Sequence, residues 1–224
     1  MSSPATRVVA ISDTHCMHGL LTLPEGDVLV HTGDFCGRGS VAQAEDFAAW
    51  FAQLPHPHKV VIAGNHDRCL EDDPTLAERL FAAEDVTYLF DTAATVAGLR
   101  FHGSPWQPAF FDWAFNLPRG QPLAEKWALI DEDVDVLLTH GPPSGVLDGT
   151  TRGVNVGCEA LTEALARVRP RLHIFGHIHE GYGALHQGET LYVNACTCTV
   201  DYRPANPPIV IDMGPEGCAV VPTG

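Results

Sequence analysis

Five short polar motifs carry residue types that could do chemistry, and each one directly follows an apolar run. In α/β sheets the loops past the carboxyl ends of the strands gather at one edge, so five separate segments can deliver side chains to one place. His177 and His179 lie two residues apart, a spacing that puts both imidazoles on one face of an extended chain. The motifs are Asp13-Thr14-His15, Gly33-Asp34, Gly64-Asn65-His66-Asp67, His140-Gly141 and Gly176-His177-Ile178-His179.

The potential donors in these motifs are carboxylates, imidazoles and one carboxamide, with no thiolate among them. Mixed nitrogen and oxygen sets suit Mn, Fe, Zn or Co, whereas an all-oxygen set would indicate Ca or Mg. Seven donors are too many for one tetrahedral ion, and they suit two ions that share a bridging carboxylate and activate a water. We therefore predict two divalent ions, with manganese as the first choice, held by Asp13, His15, Asp34, Asn65, His140, His177 and His179.

Each motif taken alone has a simpler interpretation. A His-x-His pair at a strand end is more often a surface or capping pair than a pair of ligands, and a lone Gly-Asp is usually a turn. The order of the five motifs, each after a buried-strand pattern, makes their chance assembly improbable. The glycines at positions 33, 64, 141 and 176 fit sharp turns in which backbone passes close to such a site.

The apolar runs predict the elements that must position these motifs. Strands are predicted at residues 7–12, 27–32, 59–64, 134–139, 171–175, 190–195 and 208–212. Helices are predicted at 40–54, where Ser40 and Gln43 form a capping box, and at 74–83, 123–130 and 158–168. Alternating strands and helices indicate an α/β fold whose sheet is covered by helices. The last part of the sequence, after residue 168, has predicted strands but no predicted helix, which predicts a partly antiparallel or mixed sheet.

Length and charge limit the classes of protein to which this chain could belong. A single domain over residues 1–224 is predicted, and the net charge of −15 argues against binding to polymeric nucleic acid. A small anionic substrate stays compatible, because bound metal ions can supply local positive charge. The amino terminus has no basic stretch before an apolar run, and no window approaches the roughly 18 apolar residues of a membrane span. A cytoplasmic protein without a membrane anchor is predicted, and the oligomeric state stays open.

The seven cysteines are odd in number, are scattered along the sequence and show no paired Cys-x-x-Cys spacings. They predict free thiols in a reducing compartment and disfavour a cysteine-ligated metal. Cys196 and Cys198, in "CTC", could suggest a metal pair, but the apolar run before them predicts a strand there. We interpret both as small buried residues.

The order DxH, GD, GNHD, H, GHxH resembles the signature of the calcineurin-like metallophosphoesterase superfamily and matches it at every ligand position. Further segments, "GSPWQP", "WAFNLPRG", "THGPPSG", "VGCEAL", "RVRPRLHIFGHIHEGYG" and "NACTCTVDYRPANPPIVID", are similar to the MPPED branch, which is related to the class III cyclic nucleotide phosphodiesterases. The similarity runs from about Val8 to Asp212. It implies a four-layer α/β/β/α sandwich with mixed sheets and with the metals at one end.

The resemblance also implies a role for each residue of the motifs. One metal would be held by Asp13, His15 and His179, the other by Asn65, His140 and His177, with Asp34 bridging the two. His66 would lie near the leaving group of the substrate, and Asp67 would orient the ring of His66.

Three residues outside the ligand set are candidates for substrate binding. Arg38 lies in "GDFCGRG", which resembles the GDxxDRG of phosphoprotein phosphatases except that Gly37 replaces the Asp. The alternative interpretation, which we favour, is a solvated loop arginine just before a helix. Trp106 and Asn116 lie in the aromatic stretch 103–120, where an indole could stack on a nucleobase. The other aromatic residues of that stretch are expected to pack in the core or at an interface.

The predicted activity is hydrolysis of a phosphodiester, with a nucleotide or cyclic nucleotide diester as substrate, through in-line attack by a hydroxide that bridges the metals. His66, if protonated, would donate a proton to the departing oxygen. A phosphomonoesterase, including a Ser/Thr protein phosphatase, is the alternative. A non-catalytic binding scaffold is disfavoured because no ligand of the signature is missing.

Overall fold

The computed structural model describes residues 5–83 and 85–222, which form two six-stranded sheets and a short two-stranded one. The strands, in chain order, are β1 (Thr6–Ile11), β2 (Val28–His31), β3 (His58–Val61), β4 (Val86–Tyr88), β5 (Thr92–Val96), β6 (Leu99–Ser104), β7 (Gln107–Pro108), β8 (Asn116–Leu117), β9 (Val136–Thr139), β10 (Leu172–Phe175), β11 (Gly183–Gln187), β12 (Thr190–Asn194), β13 (Ile209–Gly214) and β14 (Gly217–Val221). The helices are α1 (Val41–Ala52), α2 (Arg68–Asp72), α3 (Leu76–Leu80), α4 (Gln121–Trp127) and α5 (Glu159–Val168).

Both large sheets are mixed, as predicted. The first has the order β14-β13-β1-β2-β3-β4, in which β1 to β4 are parallel and the other two are antiparallel to their neighbours. The second has the order β11-β12-β10-β9-β6-β5, with four parallel strands between two antiparallel edges. The carboxyl ends of β1, β2 and β3 therefore share one edge, and those of β9 and β10 share another.

Alternation of apolar side chains along the strands produces the layers. On β1, Val8 and Ala10 belong to the core between the two sheets, whereas Val9 belongs to the core beneath the helices. On β9, Val136 points between the sheets and Leu137 points to the helices on the other side. Successive strand residues face opposite sides of a sheet, so each strand contributes to two cores. The predicted four-layer α/β/β/α sandwich is confirmed.

The helices cover the outer faces of the sheets. Phe47 and Phe51 of α1 are buried against the first sheet, and Trp127 of α4 and Leu165 of α5 are buried on the second. The predicted capping box of α1 is present, with the Ser40 hydroxyl accepting from the backbone N–H of residue 43. Of the helices described, none combines the length and apolar character that a bilayer crossing requires.

Each of the seven predicted strands is present, with ends that differ by up to three residues. The prediction missed α2, which is only five residues long, and several strands. Among the missed strands, β5, β11 and β14 lie at sheet edges, are largely exposed and carry no buried-strand pattern. The predicted helix at 74–83 is shorter, at Leu76–Leu80. The strand predicted to contain Cys196 and Cys198 is wrong, since β12 ends at Asn194 and Cys196 forms only an isolated parallel bridge with Ser12.

Candidate metal centre

The seven predicted metal ligands lie together at the end of the sandwich where β1, β2, β3, β9 and β10 reach their carboxyl ends. Backbone bonds join the loops: the N–H of Asp13 donates to the Gly33 carbonyl at 2.9 Å, and the N–H of His15 donates to the Asp34 carbonyl at 3.0 Å. The loops of the two sheets are also joined, because the His177 N–H donates to the Asp13 carboxylate at 3.0 Å. Five loops therefore form one surface.

The first group of donors contains Asp13, His15 and His179. The Nε2 atom of His179 lies 3.3 Å from the Asp13 Oδ1 atom and 3.3 Å from the His15 Nε2 atom. On the far side of each ring, Nδ1 contacts a backbone carbonyl, that of Cys36 for His15 and that of Thr199 for His179. A carbonyl that accepts from Nδ1–H leaves the Nε2 lone pair free, which is how metal-binding histidines are oriented.

The second group contains Asp34, Asn65, His140 and His177. The Nε2 atom of His140 lies 2.9 Å from the Asn65 Oδ1 atom and 3.3 Å from the Asp34 Oδ1 atom. His140 Nδ1 is 2.9 Å from the Thr32 carbonyl, so this ring is oriented in the same way as those of the first group. The donor atoms of Asp34, His140 and His177 all lie within 4.8 Å of one another.

The Asp34 carboxylate of the second group also reaches the first group. Its carboxylate forms one potential metal site with His15 and His66, and another with His140 and His177. A carboxylate with two oxygens is the ligand that can bridge two ions a few ångströms apart. The mixture of buried carboxylates, imidazoles and one amide oxygen fits divalent ions such as Mn, Fe, Zn or Co. The residues present therefore fit the predicted pair of divalent ions.

Charge pairing offsets the burial of these groups. Burial disfavours the charged form of His140 and of His179, yet Asp34 and Asp13 respectively raise the pKa of each ring to about 9. Burial likewise opposes ionisation of the two carboxylates, but the neighbouring histidines lower the pKa of both. Burial lowers the pKa of His177 to about 4. Because a metal ligand must be deprotonated, binding of divalent ions here would release protons.

Four of the predicted ligands have left-handed backbone conformations. The φ angles are 51° at Asp13, 42° at His15, 59° at Asp34 and 66° at His177. Residues other than glycine avoid this region at a cost of roughly 1–3 kcal/mol each, and they persist in it only where the surrounding structure determines them. Such conformations cluster at functional sites, which supports a functional interpretation of this one.

Two of the predicted glycines are required by close approach. A Cβ on Gly64 would overlap the Asp34 carboxylate, and a Cβ on Gly176 would overlap that of Asp13. Any other residue at these positions would displace a predicted ligand, so both glycines serve the site directly.

His66 lies beside the donors, with its ring largely buried. Its Nε2 atom is 3.9 Å from the Asp34 Oδ2 atom, and its Nδ1 atom is 2.8 Å from the Gly37 carbonyl. The ring stacks on the indole of Trp113 with a centroid separation of 4.1 Å. This position is compatible with the predicted place of His66 next to the reacting phosphoryl group.

The predicted contact between Asp67 and the His66 ring is wrong. Both oxygens of Asp67 point back into the loops and accept backbone N–H groups from Asp34 at 2.9 Å, Cys36 at 2.9 Å and Gly64 at 2.8 Å. Burial and the charge of Asp34 raise the pKa of Asp67, while the N–H donors of Cys36 and Gly64 oppose that shift. Asp67 therefore joins the Asp34 loop to its own loop, and the Gly37 carbonyl holds the His66 ring.

Two of the three predicted substrate-binding residues have their polar groups bonded within the protein, and their contact with a substrate stays a prediction. The indole N–H of Trp106 donates to Asp91 at 2.9 Å, and the Lys126 ammonium lies 4.4 Å above the ring. The amide of Asn116 is bonded on both its oxygen and its nitrogen to neighbouring groups of the same loop, including the backbone of Phe110. Both residues are engaged within the protein and support the loop between β7 and β8.

Arg38 is exposed, and only its backbone N–H makes a hydrogen bond, to the Gln43 side chain, among the residues that the structure describes. This geometry matches the interpretation of a solvated arginine just before α1. Its contact with a substrate stays a prediction.

Three residues near the donors were not predicted as part of the site. The ring of Tyr202 lies edge-on to His15 with centroids 4.8 Å apart. The buried Cys196 thiol donates to the Asp13 carboxylate at 3.2 Å, close enough to form a potential metal site with Asp13 and His179. Two of them had a signal in the sequence, because Trp113 lies in the aromatic stretch 103–120 and Cys196 belongs to the "CTC" that we interpreted as small buried residues rather than a metal pair. Tyr202 had no signal of its own, since the fold alone brings it to His15.

Comparison with known proteins gives a consistent result. The family model described as calcineurin-like phosphoesterase matches residues 6–181. The chain is 46% identical over 231 residues to metallophosphoesterase domain-containing protein 1 of Homo sapiens, covering 93% of this chain and 71% of the human protein. It is 38% identical to the UPF0046 protein C25E10.12 of Caenorhabditis elegans, covering 92% of this chain and 80% of that protein.

Solved structures share the fold at low sequence identity. One is TT1561 of Thermus thermophilus, with a TM-score of 0.58 and 14% identity over 85% of this chain and 88% of that one. Another is GAP50, the anchor in the inner membrane complex of Plasmodium, with a TM-score of 0.57 and 11% identity over 97% of this chain and 84% of that one. These similarities support the architecture alone.

The family model extends from β1 to the turn after His179, and so includes every loop that contributes to the two donor groups. The predicted resemblance is confirmed: the chain belongs to the calcineurin-like phosphoesterase family, in which divalent metals are used, and metallophosphoesterase domain-containing protein 1 is among its relatives.

Proposed function

We propose that this protein hydrolyses phosphodiesters with two divalent metal ions held by the seven donors described above. One observation carries the proposal, namely the position of the Asp34 carboxylate between two separate donor groups. A phosphodiester carries a negative charge that repels hydroxide. Two bound divalent ions would neutralise the phosphoryl oxygens, which reduces this repulsion. They would also lower the pKa of a coordinated water, which supplies hydroxide near neutral pH.

The residues of the chain would hold and orient the reactants. Asp13, His15 and His179 would hold one ion, and Asn65, His140 and His177 the other. His66 would face the oxygen of the leaving group with its Nε2 atom, since its Nδ1 atom is at hydrogen-bond distance from the Gly37 carbonyl. A proton delivered there is worth typically ~10²- to 10⁴-fold in rate.

Nucleotide or cyclic nucleotide diesters are the proposed substrates, and manganese is the proposed metal. The resemblance to the MPPED branch supports the substrate class. The absence of cysteine thiolates from the seven donors supports a metal that accepts nitrogen and oxygen ligands. The free cysteines of the described residues, all unbridged, support a reducing cytoplasmic location.

The test compares bis(p-nitrophenyl) phosphate with p-nitrophenyl phosphate in protein loaded with Mn²⁺, after metal analysis of the purified protein. We expect two ions per chain and faster hydrolysis of the diester. Asp34→Ala should abolish turnover, while Asp46→Ala, which removes an exposed carboxylate on α1, should not. Activity on the monoester alone would favour a phosphomonoesterase, and inactivity on both with metal bound would favour a binding scaffold.

A further inference from the structure

A groove of about 480 Å³ opens beside the candidate metal centre. One end is formed by His177 and Gly141, so the groove begins at the second donor group. Its volume is within the ~300–1,000 Å³ typical of sites for small organic ligands, and it exceeds what a phosphate group alone would fill.

Most of the groove wall is apolar. Pro142 and Ile178 line it near the donors, and Phe110 and Val154 line it farther out. Phe110 is 58% exposed and Val154 is 55% exposed, although both are large apolar side chains. An exposed apolar surface next to a reactive centre is typical of a binding site, because a ligand that covers it removes it from water.

The wall is held by hydrogen bonds. Arg119 forms part of it, and its guanidinium donates to the carbonyls of Val156 and Gly157 at 2.7 Å each. The backbone carbonyl of Phe110 accepts from the Asn116 amide at 3.2 Å. A groove fixed in this way needs little ordering when a ligand enters it.

Arg152 adds positive charge to the groove. It lines the groove and is exposed, and within residues 5–83 and 85–222 its side chain makes no hydrogen bond or ion pair. Glu180 lines the groove as well, but its carboxylate accepts from the Thr151 N–H at 2.9 Å, which leaves the Arg152 guanidinium available to an anionic ligand.

We propose that this groove binds the organic group of the substrate, a planar apolar group of up to nucleoside size, with one face against Phe110. The proposal rests on the proposed function, because it takes the phosphoryl group to lie at the donors next to His177. Phe110 and Val154 would then determine specificity without taking part in the reaction. A flat ring buries more surface against a phenyl group than a branched or charged group does.

Binding to metal-loaded protein, measured by calorimetry, tests the groove separately from catalysis. The probes are adenosine 5′-monophosphate and inorganic phosphate, and the ratio of their dissociation constants isolates the contribution of the nucleoside. Phe110→Ala should reduce the preference for the nucleotide by about tenfold, as expected for loss of one base–aromatic stacking contact. Val154→Trp should reduce it by filling the groove. Phe90→Ala, which removes another partly exposed phenyl group that does not line the groove, should leave it unchanged.

An unchanged ratio in both Phe110→Ala and Val154→Trp would overturn the inference, and so would a wild-type protein that prefers phosphate. Hydrolysis of diesters by the wild type is measured in parallel. If that hydrolysis is absent, the proposed function fails, while the binding ratio still reports on the groove. Circular dichroism of each variant checks that it is folded.

Discussion

The imidazole of His66 stacks on the indole of Trp113, with the ring centroids 4.1 Å apart and the planes inclined by 25°. The second constraint on the imidazole is its Nδ1 atom, 2.8 Å from the Gly37 carbonyl. Together these contacts direct Nε2 toward Asp34. The indole therefore supports the orientation of the imidazole beside the donors.

Replacement of Trp113 should weaken the role of His66 without removing it. We expect Trp113→Ala to lower the turnover of diesters with poor leaving groups by about tenfold, because the imidazole loses the support of the indole and is held less well. Activated aryl diesters, whose leaving groups need no proton, should be affected much less. Trp113→Phe should restore most of the activity, and equal losses on the two substrate types in Trp113→Ala would contradict this role.

Removal of the His66 ring should affect substrates unequally. His66→Ala is expected to slow hydrolysis of alkyl diesters by ~10²- to 10⁴-fold, because their leaving groups need a proton, and to slow activated aryl diesters much less. Steady-state kinetics on both substrate types measure the difference. Equal losses on the two would exclude proton donation by His66. His58, which is exposed, provides the control variant His58→Ala.

The division of the donors into two groups predicts unequal loss of metal. His177 lies in the group with Asp34 and His140, and so His177→Ala should lower the affinity for one ion and leave the other largely bound. Metal content after dialysis against a weak chelator, measured by inductively coupled plasma mass spectrometry, should approach one ion per chain. If both ions dissociate together, the proposed assignment of ligands is wrong.

Asp67 should be essential for the arrangement of the loops. Asp67→Asn replaces one acceptor oxygen with an N–H₂ group that faces backbone N–H donors, which is expected to cost roughly 1–3 kcal/mol of stability. The affinity for metal should fall as well, since Asp34 and Gly64 both donate to this carboxylate. Denaturant unfolding and metal titration measure the two effects. Full metal affinity with slower turnover alone would instead support a role for Asp67 in orienting His66.

His173 should make stability depend on pH. Complete burial lowers the pKa of this ring from its ordinary value of 6.5 to about 3. Between these two pH values the unfolded chain binds a proton that the folded chain does not, so the stability is complete above pH 6.5 and is lost as pH falls toward 3. The total effect is several kcal/mol. His173→Phe should flatten the dependence of unfolding free energy on pH in metal-free protein, and an unaltered slope would contradict a neutral buried ring.

Local patterns were sufficient to predict the elements that hold the site. The apolar runs before Asp13, Asp34, Asn65, His140 and His177 predicted the five strands whose ends meet, because a buried strand must be apolar wherever it lies in the sheet. The capping box of α1 was equally local, since it involves residues three apart. The resemblance of the motifs then indicated the family, which the comparisons confirmed.

Sequence by itself thus determined which residue types stand at the strand ends, and the tertiary structure decided what each one touches. Asp67 contacts the Asp34 loop rather than the neighbouring His66, because the backbone N–H groups of that loop converge on its carboxylate. Cys196 reaches Asp13 across 183 positions of sequence. Contacts over such separations depend on the order of strands in the sheets and on the left-handed turns at their ends, and neither is encoded in a local pattern of side chains.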